Sequence, residues 1–358
     1  MTSRIPVSII TGFLGSGKTT LLNHVLADPG MAGAAVIINE FGEIGLDHLL
    51  IATPNENTVL LASGCICCTV RGDLVDTLRD LKAKRAAGKL PPFDRVLIET
   101  TGLADPVPII QTVITDEKIA PQFELDGVIT LVDAVNGMSQ LDQQREAVKQ
   151  AAVADRLLIT KTDLADVASV EALQQRLTRL NPGVPMQHVK QGKIAPSALF
   201  GASLKPQARS ADMARWLPLA AVNAVAQQYP QTHDDHTRAF SIYVDEPITA
   251  MGMTAWLTAL ASLRGANLLR VKGLLNVEGE PVAVHAVQTL IHEPVALARW
   301  PDADRRSRLV FITRDMDRAA IEATLDVLHL QPSVPADKPR PLDPQAYAKF
   351  VAAMQKVH

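Results

Sequence analysis

The sequence predicts an α/β protein in two parts: a parallel sheet with helices on both faces, then a smaller α+β unit. Three observations carry this. The chain has 358 residues, too long for one ordinary core, and its 47% hydrophobic and 20% charged content is that of a folded globular protein. The first half alternates short, continuous apolar runs with amphipathic stretches, and strands without polar alternation belong to sheets covered on both sides. Finally, residues 12–19, Gly-Phe-Leu-Gly-Ser-Gly-Lys-Thr, fit G-x-x-x-x-G-K-[ST] directly after an apolar run.

The expected buried strands lie at 7–10, 35–38, 59–61, 96–98, 128–132 and 157–159, with helices clearest at 18–26, 74–84 and 170–180. Asn181-Pro182-Gly183 stops the last helix and leads into a short strand at 186–189. This first unit covers 1–200. Residues 201–238, punctuated by Pro206, Pro218 and Pro230, read as a linker with one helix at 211–225. A second unit, 239–330, is expected to run strand 240–244, helix 251–263, strands 268–277 and 282–290 turning at Glu278-Gly279, strand 309–313 and helix 318–328. That order suggests helices on one face of an antiparallel sheet. The tail, 331–358, holds one candidate helix at 344–356.

Composition excludes several classes. A formal net charge of −3 and 4% aromatic residues give neither the electrostatic footprint nor the stacking platforms of a nucleic-acid binder. No apolar run approaches the roughly 20 residues that span a bilayer. The phosphate loop starts at Gly12, which leaves no room before it for a removable signal peptide. The three cysteines, odd in number and clustered, exclude a disulfide framework and point to a reducing compartment, so the expected location is the cytoplasm.

In the loop, Gly12, Gly15 and Gly17 let backbone N–H groups turn onto phosphate oxygens, and Ser16, Lys18, Thr19 and Thr20 open the helix whose positive end completes the cradle. Lys18 is placed to reach the β- and γ-phosphates, and the Thr19 hydroxyl to ligate Mg²⁺. Glu99-Thr100-Thr101-Gly102 ends a hydrophobic strand; Glu99 is the candidate Mg²⁺ carboxylate and the Gly102 N–H the γ-phosphate sensor. Asp133, at the end of the next strand, is better read as a strand-end cap. Thr160-Lys161-Thr162-Asp163 resembles the N-K-x-D base-reading signature. The Asp163 carboxylate accepts from the N1–H and amine of guanine, which favours GTP over ATP, and the Lys161 stem stacks on the base. Thr160 replaces the usual Asn and alters one supporting hydrogen bond. The plainer alternative is a turn capped by Asp163.

Cys65-Ile66-Cys67-Cys68 contains every cysteine of the chain. At a helical turn Cys65 and Cys68 stand on one side with Cys67 beside them, and the helix end lowers their thiol pKa values. Three thiolates leave one tetrahedral position, for which Glu40, a water or an incoming ligand are candidates; Zn²⁺ or Cu(I) suit such ligands, with Co²⁺ and Ni²⁺ also accepted. The acidic loop 39–47 before it is a candidate switch responding to the γ-phosphate. His233 and His236 flank two acids and read more simply as a solvated linker than as ligands; His285 and His292 read as packing or surface residues.

Together, residues 12–19, Asn39-Glu40-Phe41-Gly42-Glu43, Gly64-Cys65-Ile66-Cys67-Cys68, Glu99-Thr100-Thr101-Gly102 and Thr160-Lys161-Thr162-Asp163 resemble the CobW family, in its motif order. Arg270-x-Lys272-Gly273 and Trp300 resemble its C-terminal domain, so the similarity covers about 4–330. The resemblance implies a P-loop GTPase acting as a metallochaperone, in which metal at Cys65, Cys67 and Cys68 is coupled to the nucleotide and handed to a client metalloprotein. Zinc is the favoured metal; cobalt chaperones for cobalamin synthesis and nitrile hydratase activators are the alternatives. A nucleotide-dependent homodimer is a further expectation. The rival readings are a thiol redox-gated nucleotide switch, which needs a reversible disulfide, and a small-molecule kinase, for which no substrate lid or base is visible.

Overall fold

Continuous apolar runs become strands whose side chains point alternately to two buried faces, and this is how the computed structural model of the chain is organised. The described residues are 4–39, 59–63, 70–204, 210–228, 236–264 and 267–330. Strands β1 (Ile5–Gly12), β2 (Ala34–Asn39), β3 (Val59–Ser63), β4 (Arg95–Glu99), β5 (Phe123–Asp133), β6 (Arg156–Thr160) and β7 (Met186–Val189) form one seven-stranded sheet in the order β3-β2-β4-β1-β5-β6-β7. Every pairing in it is parallel. On one face Val7, Ile9, Ala35, Ile37, Val96 and Ile98 pack with helices α2 (Val70–Ala86) and α3 (Val107–Thr115). The intervening residues Ile10, Val36, Ile38 and Leu97 pack on the other face against Leu21, Leu22 and Val25 of α1 (Lys18–Leu26). Helices α4 (Gly137–Gln143), α5 (Arg145–Val153) and α6 (Val167–Leu180) form a further cluster with Leu157 and Ile159.

The seven expected strands of this sheet are all present. Helix α3 is not among the expected helices: its Val-Pro-Ile-Ile-Gln-Thr-Val-Ile-Thr sequence is rich in β-branched residues, yet the Asp105 side chain accepts from Val107 N at 3.0 Å across the turn before it, and Pro106 and Pro108 suit a helix start.

The linker segment holds two helices, α7 (Ser210–Trp216) and α8 (Leu219–Gln228), where one was expected. Pro218 lacks the N–H that a continuous helix needs at that point. Next come β8 (Thr237–Val244), α9 (Ala250–Arg264), β9 (Leu268–Val277), β10 (Glu280–Val287), β11 (Leu290–Ile291), β12 (Val295–Ala296), β13 (Ser307–Arg314) and α10 (Arg318–Glu322). The second sheet is antiparallel, in the order β11-β10-β9-β13-β8 with β12 on β10. The expected strand 282–290 is broken in two, because Gln288 adopts a positive φ of 52°. The expected helix 318–328 is likewise divided, ending at Glu322 and resuming as a 3₁₀ turn at Leu325–His329.

Helices on one face alone do not describe this sheet. Trp256, Leu260, Ile321 and Leu328 cover one side around Phe240, Val271, Leu275 and Phe311. The other side is also buried: Met213, Leu217 and Val222 pack on Leu274, Ala283 and Val310, while Leu269 and Ile312 join the α5–α6 cluster. Strand β9 is buried along nearly its whole length, Arg270 and Asn276 included, as a strand covered on both faces is. No helix among the described residues is long and apolar enough to cross a membrane.

Candidate functional site

Gly12, Glu99, Asp133 and Thr160 end four adjacent parallel strands, so the candidate residues meet at one carboxyl edge of the sheet, where open α/β sheets bind ligands. The chain leaves β1 through Gly12, Gly15 and Gly17 at φ 143°, 73° and 94°, values that favour glycine, and enters α1 at Lys18. The buried Lys18 ammonium donates to the carbonyls of Gly12 at 2.8 Å and Phe13 at 3.3 Å, spanning the loop mouth. Ser16 is fully buried, and its hydroxyl has no hydrogen-bond partner among the described residues; the same holds for the Thr101 hydroxyl. Two orphaned hydroxyls beside inward-turned amides fit a phosphate–metal ligand. Thr19, half-buried at the helix start, and Glu99, buried at the β4 end, are the residues that would hold Mg²⁺.

Gly102 sits against the phosphate loop itself. A Cβ built there would lie 2.5 Å from Leu14 N and 2.7 Å from Leu14 Cα, so only glycine permits this approach. The loop carrying Glu99 and Gly102 is fixed to β1 by Thr100, which donates from its backbone to Ile10 O at 2.9 Å and from its hydroxyl to Thr11 Oγ1 at 2.8 Å.

Thr160 makes its own supporting bond. Its buried hydroxyl donates to Ser16 O at 2.7 Å, tying the turn after β6 to the phosphate loop. Lys161, at φ 56°, places its ammonium 2.8 Å from Asp133 Oδ2. Burial alone would raise the Asp133 carboxyl, but hydrogen bonds from Lys161, Asn136 and Val135 N outweigh it and hold the group below its usual range. Asp133 is thus the cap that the sequence suggested. Asp163 is exposed in the turn that follows. Leu14, Leu103, Val135, Met138, Leu164 and Val167, all more than a third exposed, lie on the loops and helix starts that follow β1, β4, β5 and β6.

The comparisons with known proteins agree with this arrangement. The CobW/HypB/UreG nucleotide-binding domain matches residues 6–188, and the cobalamin synthesis protein CobW C-terminal domain matches 237–328. This chain belongs to the CobW family. It is 37% identical over 326 residues to the zinc chaperone YjiA of Escherichia coli, covering 89% of this chain and 97% of the relative. The zinc chaperone CobW of Pseudomonas aeruginosa is 30% identical over 365 residues, covering 89% of this chain and 90% of the relative. The zinc-bound YjiA GTPase crystal structure superposes with a TM-score of 0.70 at 30% identity, covering 92% of this chain and all of that one. A zinc-bound YjiA variant with one glutamate and two cysteines replaced by alanine superposes equally well.

The second sheet is joined to the nucleotide-binding part through α5. Gln150 Nε2 donates to Gly102 O at 3.2 Å and Ala104 O at 2.9 Å, and Lys149 pairs with Asp105 at 3.0 Å. One turn further along, where α5 ends, Arg270 of β9 donates to the carbonyls of Val153 and Ala154 and pairs with Asp155. Lys272 lies 3.2 Å from the same carboxylate and 5.0 Å from the Trp216 ring centroid. Burial would raise the Asp155 carboxyl, but the charges of Arg270 and Lys272 and the Val128 N–H outweigh it and hold it at about 2. Burial and the neighbouring Arg270 push Lys272 down to about 7. Sequence reading singled out Arg270 and Lys272 but missed Asp155, Gln150 and Lys149; nothing local marks a partner 115 residues away in the chain.

Several candidates fall elsewhere. Glu40, the loop 39–47 beyond Asn39, Cys65, Cys67, Cys68 and His233 lie outside the described residues. The cysteine run falls between β3, which ends at Ser63, and α2, which begins at Val70. His236 pairs with Asp315 at 2.6 Å. His285 and His292 are stacked, with ring centroids 4.1 Å apart, and burial holds His292 at about 4. Among the described residues, no group of three or more His, Cys, Asp or Glu side chains is placed to hold a metal.

Proposed function

We propose that this chain is a cytoplasmic, GTP-hydrolysing zinc metallochaperone. The observation that carries the reading is the phosphate loop, with Gly102 packed on Leu14 and Thr160 bonded to Ser16, in a chain whose relatives over most of their length are named zinc chaperones. Lys18 and the loop amides bind the phosphates, Thr19 and Glu99 hold Mg²⁺, and Asp163 with Lys161 reads guanine. Bound Mg²⁺ neutralises charge that develops on the phosphates.

Zinc is the cargo, and Cys65, Cys67 and Cys68 are its proposed ligands, with Glu40 as the fourth. Their place in the sequence, between β3 and α2, supports a coupling of zinc binding to the nucleotide. Hydrolysis separates a loaded from a releasing state, and the second sheet presents the surface for a client metalloprotein. The exposed apolar residues around the nucleotide edge support a homodimer formed when GTP is bound, since grouped exposed apolar side chains mark interaction surfaces.

The test is titration of Zn²⁺ and Co²⁺ into the reduced protein with and without a non-hydrolysable GTP analogue. One tight zinc whose affinity changes with nucleotide, and which is lost when all three cysteines become alanine, is the expected result. Because a YjiA variant lacking two cysteines still carries zinc in its crystal, the number of ions per chain is counted in each case. Zinc affinity indifferent to both nucleotide and the Cys→Ala changes sinks the chaperone reading, and a preference for ATP sinks the role of Asp163.

A further inference from the structure

Every backbone carbonyl from Gln150 to Ala154, where α5 ends, is held by a side chain of another element. Thr130 of β5 donates to Gln150 O at 2.8 Å. Asn181, buried at the end of α6, donates to Ala151 O at 3.0 Å, Ala152 O at 3.2 Å and Ala154 O at 3.0 Å. Arg270 of β9 donates to Val153 O at 3.0 Å and also to Ala154 O. The last carbonyls of a helix have no partner within it, so these bonds satisfy them and fix where α5 stands.

From this support two consecutive side chains reach the loop after β4. The buried Gln150 donates from Nε2 to Gly102 O at 3.2 Å and Ala104 O at 2.9 Å, and Lys149 pairs with Asp105 at 3.0 Å. Both partners of Gln150 are carbonyls, which accept only, so the group facing them is the amide nitrogen. Gln150 Oε1 makes no hydrogen bond among the described residues; the carboxamide is spent on this loop. Gly102 packs in turn on the phosphate loop, with no room for a Cβ beside Leu14. A glycine has no side chain with which to aim its own amide, so the amide is aimed by what holds the carbonyls around it. Donors to a transferring phosphoryl group work by being preorganised, and a misplacement of about 1 Å can cost about 10²-fold in rate.

We propose that Gln150, supported by Lys149, is a positioning residue for GTP hydrolysis, holding the Gly102 amide at the γ-phosphate. This rests on the reading of Gly102 as the γ-phosphate contact. Gln150 itself touches no nucleotide, so it acts on the chemical step and leaves GDP binding alone. Gln150→Leu keeps the bulk of the side chain and loses both donors. Its kcat for GTP should fall at least about tenfold, with KM and GDP affinity within about twofold of the parent. Gln150→Glu supplies a readout that a merely structural role would not move. Its carboxylate has no proton to offer the two carbonyls, whereas its protonated form donates once, and burial raises its pKa. Measured against the parent, its kcat should recover in part as pH is lowered from about 8 to about 6, while Gln150→Leu stays flat. Parental kcat in Gln150→Leu overturns the proposal, as does GDP affinity that falls in step with kcat, or a flat relative profile for Gln150→Glu. If Gln150→Leu does not fold, Lys149→Met, at a half-exposed ion pair, takes its place. There a kcat at least about threefold lower at unchanged GDP affinity is expected, and parental kcat overturns the proposal. Lys18→Ala is the comparison. Hydrolysis lost in Lys18→Ala but kept in Gln150→Leu removes Gln150 and leaves the nucleotide site standing; hydrolysis kept in both sinks the reading of the site itself, and the proposal with it.

Discussion

The nucleotide edge and the seam between the sheets are built on opposite plans. At the edge, the Ser16 and Thr101 hydroxyls have no hydrogen-bond partner among the described residues, and Lys18 bridges the carbonyls of Gly12 and Phe13. At the seam the Asp155 carboxylate is already met by two cations and a backbone amide. The first region gains its interactions on binding; the second has them on folding. A nucleotide switch needs both, one part free to change its bonds and one that keeps them so the change is passed on.

The comparison breaks most visibly if the seam is cut. Arg270→Ala leaves a buried carboxylate facing only Lys272 and uncaps α5, with an expected loss of about 3–5 kcal/mol in denaturant unfolding. Removing Asp155 as well should recover part of that loss, and a double-mutant cycle with no coupling between the two would show that the seam is not a unit. Lys18→Ala should behave in the opposite way: stability within experimental error of the parent, and GTP hydrolysis reduced about 10²–10³-fold, as when one preorganised charge donor is lost. Unfolding of that variant would mean that the edge, too, holds the fold together.

Thr160→Val tests the link from base-reading turn to phosphate loop. Losing the bond to Ser16 O leaves the fold intact and should cost about 1–2 kcal/mol, seen as several-fold weaker GDP binding by fluorescence titration. The seam also predicts a pH response. Burial holds His292 at about 4 when folded, against an ordinary value of 6.5, so the unfolded chain takes up a proton first. Stability contributed by the neutral ring is therefore complete above pH 6.5 and falls between pH 6.5 and 4. Asp155, held at about 2, adds a further loss as pH drops from its ordinary 3.8 toward 2. Thermal unfolding of His292→Phe should show a flatter profile across the first interval; an unchanged profile would remove His292 from the account.

What the sequence disclosed follows the same division. Strands of the parallel sheet other than β7 were readable because each holds a continuous apolar run, and the loop glycines because backbone geometry demands them. Helix α3 was not, since its β-branched residues are overridden by the turn that Asp105 closes on Val107 N and by burial of Ile109 and Ile110. The break of 282–290 at Gln288 and of 211–225 at Pro218 depended on turn geometry, which periodicity does not encode. Thr160 looked like a weakened signature and proved to hold its own bond to the loop. Asp155 and Gln150 carried no motif at all, because their roles arise from partners on other elements.

Helix α5 joins the two regions physically, and its dimensions have a mechanical consequence. It has nine residues, about 13 Å of rigid rod, and Gln150, which holds Gly102 O, stands within one turn of the last carbonyls, which Arg270 holds. One turn of helix offers no length over which to bend. The Gly102 loop and the second sheet are therefore bolted to nearly the same point, and neither can shift there without moving the other.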